Sequence, residues 1–114
     1  IACCWLASNS ARIVLPAPYA HNEHIWNQYT LRVIGEGSRE SLKKHLTDNG
    51  IGTEIYYPVT MDQQECFAYT PDTARADCAT AHRLASEVIS IPIFPELSMA
   101  QQDAVIAEIA AWLK

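Results

Sequence analysis

Two phrases of this chain restrict its fold more than any other: Gly50-Ile51-Gly52-Thr53-Glu54-Ile55-Tyr56-Tyr57-Pro58 and, further along, Ser90-Ile91-Pro92-Ile93-Phe94-Pro95-Glu96-Leu97-Ser98. β-Branched and aromatic side chains favour a pleated, half-buried backbone, so both phrases predict extended structure. Proline has no N–H to give to a ladder, so Pro58, Pro92 and Pro95 must end a strand or sit at a sheet edge. A helical stretch precedes each phrase. The chain therefore has to fold as short strands alternating with helices.

Other elements fit around these two. Arg12-Ile13-Val14-Leu15-Pro16 reads as an edge strand running into a loop over 16–22. From Ile25 to Val33 the apolar set Ile25, Tyr29, Leu31 and Val33 alternates with Gln28, Thr30 and Arg32, which predicts one covered and one polar face. Gly35-Glu36-Gly37 breaks that strand. Ser38 is expected as N-cap of a helix of about three turns, with Leu42 and Leu46 as its buried stripe and Gly50 as its left-handed stop. Val59 to Asp72 has no sustained period and is expected as loop, with one helical turn around Gln63 to Phe67. Thr73 to Val88 predicts a second helix with Ala81, Leu84 and Val88 on its apolar side. Ser98 and Gln101 form a capping box before a last helix whose apolar face is Val105, Ile106, Ile109, Trp112 and Leu113. The pattern β-β-α-β-α-β-α in 114 residues predicts a single α+β domain over 1–114. It should be a two-layer sandwich with a small, mostly antiparallel sheet and helices packed on one face.

Composition excludes several functions. With a formal charge of −5 and Arg12, Arg32, Arg39, Arg75 and Arg83 scattered among carboxylates, the chain offers no basic stripe, so nucleic acid is not an expected partner. No run approaches the roughly 18 apolar residues a membrane helix needs. The apolar start, Ile1 to Ala7, has neither basic flank nor cleavage site and reads as a cut helix rather than a signal peptide. Cys3, Cys4, Cys66 and Cys78 include no C-x-x-C pair, and adjacent Cys3 and Cys4 are poorly placed to bridge each other. They read as reduced thiols, which places the protein in the cytoplasm.

Candidate chemistry is sparse. His21-x-x-His24, with Glu23 between them and Cys3-Cys4 upstream, lacks the two converging ligand pairs of a zinc site, so no metal is expected. His45 and His82 read as boundary or surface residues of their helices. No Ser/His/Asp set and no glycine-rich phosphate loop can be picked out by spacing. Tyr56, Tyr57 and Trp26 are sheet and core aromatics by type. Neighbours in a strand point to opposite faces, however, so Tyr56 and Tyr57 cannot both be core.

In order and spacing, the two proline-closed phrases, the entry His24-Ile25-Trp26-Asn27-Gln28-Tyr29, the helix over 39–50 and the segment Gln63-Gln64-Glu65-Cys66-Phe67 resemble the C-terminal domain of the DegT/StrS-type nucleotide-sugar aminotransferases. Those enzymes use pyridoxal phosphate (PLP). The resemblance runs from Leu15 to Lys114. It implies the small domain of a fold-type I PLP enzyme, one that packs on a large PLP-binding domain and closes over a nucleotide-sugar in a dimer. It further implies a substrate wall of His24, Trp26, Tyr56 and Tyr57, with Asp62 and Gln63 nearby, if the strands beginning at Ile25 and ending at Tyr57 are neighbours.

Two departures matter. After Tyr57-Pro58 the family pattern Pro-Leu-His is replaced by Thr60-Met61-Asp62, which puts a carboxylate where an imidazole is expected. The only lysines are Lys43, Lys44 and Lys114, none placed for a Schiff base, and no segment could hold the large domain. The expectation is a domain or fragment with no catalytic residue and no cofactor site of its own, inactive in isolation. It would be partnered by the large domain or by its own copy through the apolar Ile1–Leu6 end. The alternative is a free-standing α+β module that binds a small ligand or a protein.

Overall fold

The computed structural model describes residues 11–69 and 77–114. Its order is β1 (Ile13–Val14), β2 (Tyr29–Val33), α1 (Ser38–Asp48), two 3-10 turns (Met61–Gln63 and Glu65–Phe67), α2 (Ala79–Glu87), β3 (Val88–Ile91) and α3 (Met99–Trp112). The three strands form one antiparallel sheet, β1-β2-β3. Ile13 is paired with Val33, and Tyr29, Thr30, Leu31 and Arg32 with Ile91, Ser90, Ile89 and Val88. The α+β architecture expected from the sequence is the one observed.

Alternation along the strands decides the layers. Leu31, Val33, Ile89 and Ile13 are buried with Leu42 and Leu46 of α1 and with Val105 and Ile109 of α3. Ile106, Trp112 and Leu113 pack around that cluster, so the apolar face read from the last helix is the one it buries. Thr30, Arg32 and Ser90 belong to the opposite face, where the Thr30 and Ser90 hydroxyls lie 2.8 Å apart and Arg32 pairs with Glu87 at 2.7 Å. Polar contacts fasten the helices at their edges. His45 Nε2 meets Glu108 Oε2 at 3.0 Å, and Trp112 Nε1 donates to Ser41 Oγ at 3.0 Å. The Arg12 guanidinium lies 4.1 Å from the Trp112 ring centre, a cation–π contact.

Local signals hold at most helix ends. Ser98 and Gln101 form the reciprocal capping box, and Gly50 ends α1 with φ 75°. Ser38 differs from expectation: it is the first helical residue, and Gly37 caps in the left-handed region at φ 68° with no side-chain cap bond. In α2 the buried residue is Ala85, whereas Ala81 is exposed. The expected first turn of that helix, at 73–76, lies outside the described residues, as does the apolar Ile1–Leu6 end.

Three expected strands are shorter or displaced. β2 begins at Tyr29 and not at Ile25, because Trp26 takes φ 50°, which no ladder accommodates. The third strand is Val88–Ile91 rather than Ile91–Pro95, since Pro92 follows it at once. The segment 51–57 pairs only at Glu54 with Ser90, by N–H to carbonyl bonds of 3.0 and 2.8 Å. Hydrogen-bonded pairs in an antiparallel ladder recur every second residue, so the next would fall at Pro92 and at Val88. Pro92 has no N–H, and the Val88 N–H is donated to the Leu84 carbonyl at the end of α2. Each of these positions can offer a carbonyl but no N–H, and the pairing stays at a single bridge.

Ile109 is fully buried. Replacing it with Asp places an unpaired charge in the core, and the cost of several kcal/mol should consume most of a stability of about 5–15 kcal/mol. Loss of the cooperative thermal transition is expected; a melt close to that of the parent would show that α3 is not core.

Candidate functional site

Two groups of expected site residues are built by different means. His24 and Trp26 form a hook at the entrance to β2. The Trp26 N–H donates to His24 Nδ1 at 2.9 Å, and the two rings stack at 4.1 Å between centroids. Trp26 also lies 5.1 Å from the Tyr29 ring. A bulky residue at positive φ is strained, and such strain persists only where the surroundings fix it; here the imidazole captures the amide and the aromatic stack holds the ring. Trp26 and Tyr29 then wall an apolar hollow of about 310 Å³ with Phe94, Leu97 and Ile106. His24 itself lines a separate shallow hollow with His21 and Glu23. Among the described residues no three His, Cys, Asp or Glu side chains converge as metal ligands.

Tyr56 and Tyr57 stand across the sheet edge from that hook. β3 lies between β2 and the Glu54 bridge, so the strands expected to be neighbours are separated by one strand. Ile55 packs on the core side, which turns Glu54 and Tyr56 toward the open face. Both tyrosines are exposed, Tyr56 at 52% and Tyr57 at 71%; neither is core. They share a narrow cleft with Gln28, Thr30 and Ser90. Tyr56 also borders an open hollow of about 380 Å³ with Thr53, Glu54 and Pro92. The Thr53 hydroxyl there is enclosed and has no hydrogen-bond partner.

Asp62 and Gln63 lie in the first 3-10 turn, after Pro58 has taken the chain off the sheet edge. Asp62 is engaged: its Oδ2 lies 2.6 Å from His82 Nε2 on α2. The Thr60 hydroxyl, first, and the His82 imidazole, second, hold the Asp62 carboxyl below its ordinary range. Thr60 Oγ1 is also 3.1 Å from Gln63 Oε1. One hydroxyl proton serves one acceptor at a time, and the ionised carboxylate is the stronger claimant. His82 is the site residue that sequence reasoning assigned to the surface; nothing in a separation of 20 positions across an irregular loop signals the contact. The expected residues thus fall into a His24–Trp26 group, a Tyr56–Tyr57 group and an Asp62–Gln63 turn tied to α2.

Because Asp62 is more acidic folded than unfolded, its charge adds stability above the ordinary value of 3.8, and that contribution fades as pH falls through the lower folded value. Asp62→Asn should therefore melt below the parent near neutrality, with the gap closing in acid beneath 3.8. Thermal melts across pH test this, and a gap that persists unchanged into strong acid would remove the carboxylate from the account.

Comparison with known proteins places this geometry. The sequence pattern of the DegT/DnrJ/EryC1/StrS aminotransferase family matches residues 5–110. A UDP-N-acetyl-3-dehydro-alpha-D-glucosamine 3-aminotransferase of Acidithiobacillus ferrooxidans is 37% identical over 83 residues, 73% of this chain and 21% of that protein. A pleiotropic regulatory protein of Geobacillus stearothermophilus is 32% identical over 102 residues, 90% of this chain and 26% of that protein. Among solved structures, S. venezuelae DesV in complex with a ketimine intermediate superposes with a TM-score of 0.81 at 27% identity, over 99% of this chain and 30% of its own. A DegT DnrJ EryC1 StrS aminotransferase from Brucella abortus gives 0.79 at 25% identity, over 98% of this chain and 29% of its own. The chain spans about a quarter of the length of these relatives.

Proposed function

This chain belongs to the DegT/DnrJ/EryC1/StrS aminotransferase family, and from that premise we propose that it is the small domain of a PLP-dependent sugar aminotransferase. In that role it contributes substrate wall and domain contacts and performs no chemistry alone. The single observation that carries the reading is the agreement of nearly the whole chain with one continuous part of much longer sugar aminotransferases. A nucleotide-linked sugar as substrate is supported by the names of four relatives, two for UDP-linked and two for dTDP-linked sugars, whereas a fifth is named for 3-oxo-glucose-6-phosphate.

The residues present do not fit PLP. A PLP site needs a lysine in a pocket, with partners for the pyridine nitrogen and the phosphate. Lys44 is exposed and paired with Asp48 at 2.6 Å on the surface of α1. Lys43 sits beside it on the same helix, and Lys114 is the last residue. None of the three lines any of the four hollows described. In this reading the cofactor site belongs to a large PLP-binding domain, and His24, Trp26, Tyr56, Tyr57, Asp62 and Gln63 form the rim that domain would close against. No helix among the described residues is long and apolar enough to cross a membrane, which agrees with a cytoplasmic setting.

The isolated chain mixed with PLP should yield no borohydride-reducible adduct at Lys43, Lys44 or Lys114 above the level seen with a denatured control. It should also transfer no amino group from glutamate to a 3-keto nucleotide-sugar. A longer polypeptide carrying this chain should form the adduct at a lysine outside it and transfer the amino group. Amino transfer by the isolated chain, or its absence from the longer enzyme, would overturn the assignment.

A further inference from the structure

The loop that follows Tyr57 has little of its own to hold it. Neither 3-10 turn contains a buried residue. Its backbone hydrogen bonds are local, Gln63 to Thr60, Gln64 to Met61, Phe67 to Gln64 and Ala68 to Glu65. Val59 and Met61 are exposed at 45% and 64%. Phe67 of the second turn makes a further contact, and one bond reaches across 20 positions in sequence, between Asp62 Oδ2 and His82 Nε2 at 2.6 Å. It joins this largely exposed loop to α2, whose Ala85 is buried.

We propose that His82 is a positioning residue, which acts through Asp62 to clamp the 58–69 loop onto α2 and so fixes the Tyr56–Tyr57 rim. The proposal rests on the reading in which those tyrosines wall the substrate. The chain has few ways to move between the two points: Pro58 has a fixed φ and restricts Tyr57 before it, and the 3-10 turn begins at Met61. Fixing Asp62 therefore limits where Tyr57 can go. An ionised carboxylate only accepts, so Nε2 must carry the proton in either charge state of the ring. The clamp thus does not require a charged imidazole. Nδ1 has no partner among the described residues, so Asp62 alone orients the ring.

A clamp and a ligand contact respond differently to exchange of the two side chains. Asp62→His combined with His82→Asp keeps the summed side-chain length and the donor–acceptor match while moving the imidazole from α2 to the loop. A clamp should survive that change; a role for the imidazole itself at position 82 should not. Hydrogen exchange of the full chain without ligand is the first measurement. His82→Ala and Asp62→Ala should each speed exchange of the Met61–Ala68 amides about tenfold, leave β2 and β3 protected, and be reversed by the exchanged pair. Single variants that exchange like the parent, or an exchanged pair as open as the single variants, would overturn the clamp. Imidazole ¹⁵N spectra of the parent need no variant: a proton on His82 Nε2 is expected, and a ring protonated at Nδ1 alone would overturn the clamp. UDP-N-acetylglucosamine provides the second readout, with amide shifts at Tyr57 that weaken about tenfold in His82→Ala and return in the exchanged pair. If the parent shows no such shifts, the substrate-wall reading fails, while exchange and tautomer still decide the clamp.

Discussion

Everything placed in this domain depends on one act of burial. Leu31, Val33 and Ile89 on one face of a three-stranded sheet meet Leu42 and Leu46 of α1 and Ile109 of α3, and all six side chains are essentially inaccessible. Burying each is worth roughly 1.5–3 kcal/mol, and among the described residues these side chains make up most of the core cluster. The peripheral polar contacts are secondary to it. His45–Glu108 and Trp112–Ser41 set how α1 and α3 lie along each other once the core has brought them together, and both are partly solvated, where such pairs contribute little.

Single-sided burial leaves the rest of the chemistry on edges and on the open face. Pairing past β3 stays at the Glu54–Ser90 bridge, because Pro92 and the helix-bound amide of Val88 supply no N–H at the next ladder positions. Short pairing is therefore what allows Tyr56 and Tyr57 to leave the sheet and stand exposed. On the other side the left-handed turn at Trp26, captured by His24, prevents β2 from starting earlier and lifts an indole over the apolar hollow beside Phe94. Both groups of aromatic residues owe their exposure to interrupted ladders rather than to length of loop.

The sequence disclosed what depends on periodicity and on local chemistry. Leu42 and Leu46 one turn apart, the Val105–Ile109–Trp112 face, the Ser98–Gln101 box and Gly50 as a stop could all be read, because each is a relation within one element. Pro92 was visible, and with it half the reason that the 51–57 segment is not a strand; the other half, the Val88 amide, required knowing that α2 runs directly into β3. The Trp26 turn was hidden because a tryptophan at positive φ contradicts local preference and exists only through His24. The Asp62–His82 bond was hidden because neither residue lies on a regular face relative to the other. Element order gave the fold class and resemblance the family, while the contacts that join His24 to Trp26 and Asp62 to His82 came from the structure.

The three groups differ in what they offer a ligand. Glu23 and Glu54 are the carboxylates that line the four hollows, and no lysine or arginine lines any of them. A diphosphate needs cationic or amide donors, and beside these walls it would meet acceptors of its own sign. What they do present suits the uncharged parts of a nucleotide-sugar: indole and phenol rings with faces for stacking, and the side chains of Gln28 and Thr30. Asp62, whose charge would have added to the repulsion, is turned to His82 and shielded by it. Under the proposed function, the phosphate-binding charge comes from the part of the enzyme that also holds the cofactor, and this domain shapes a side of the pocket that no lysine or arginine lines.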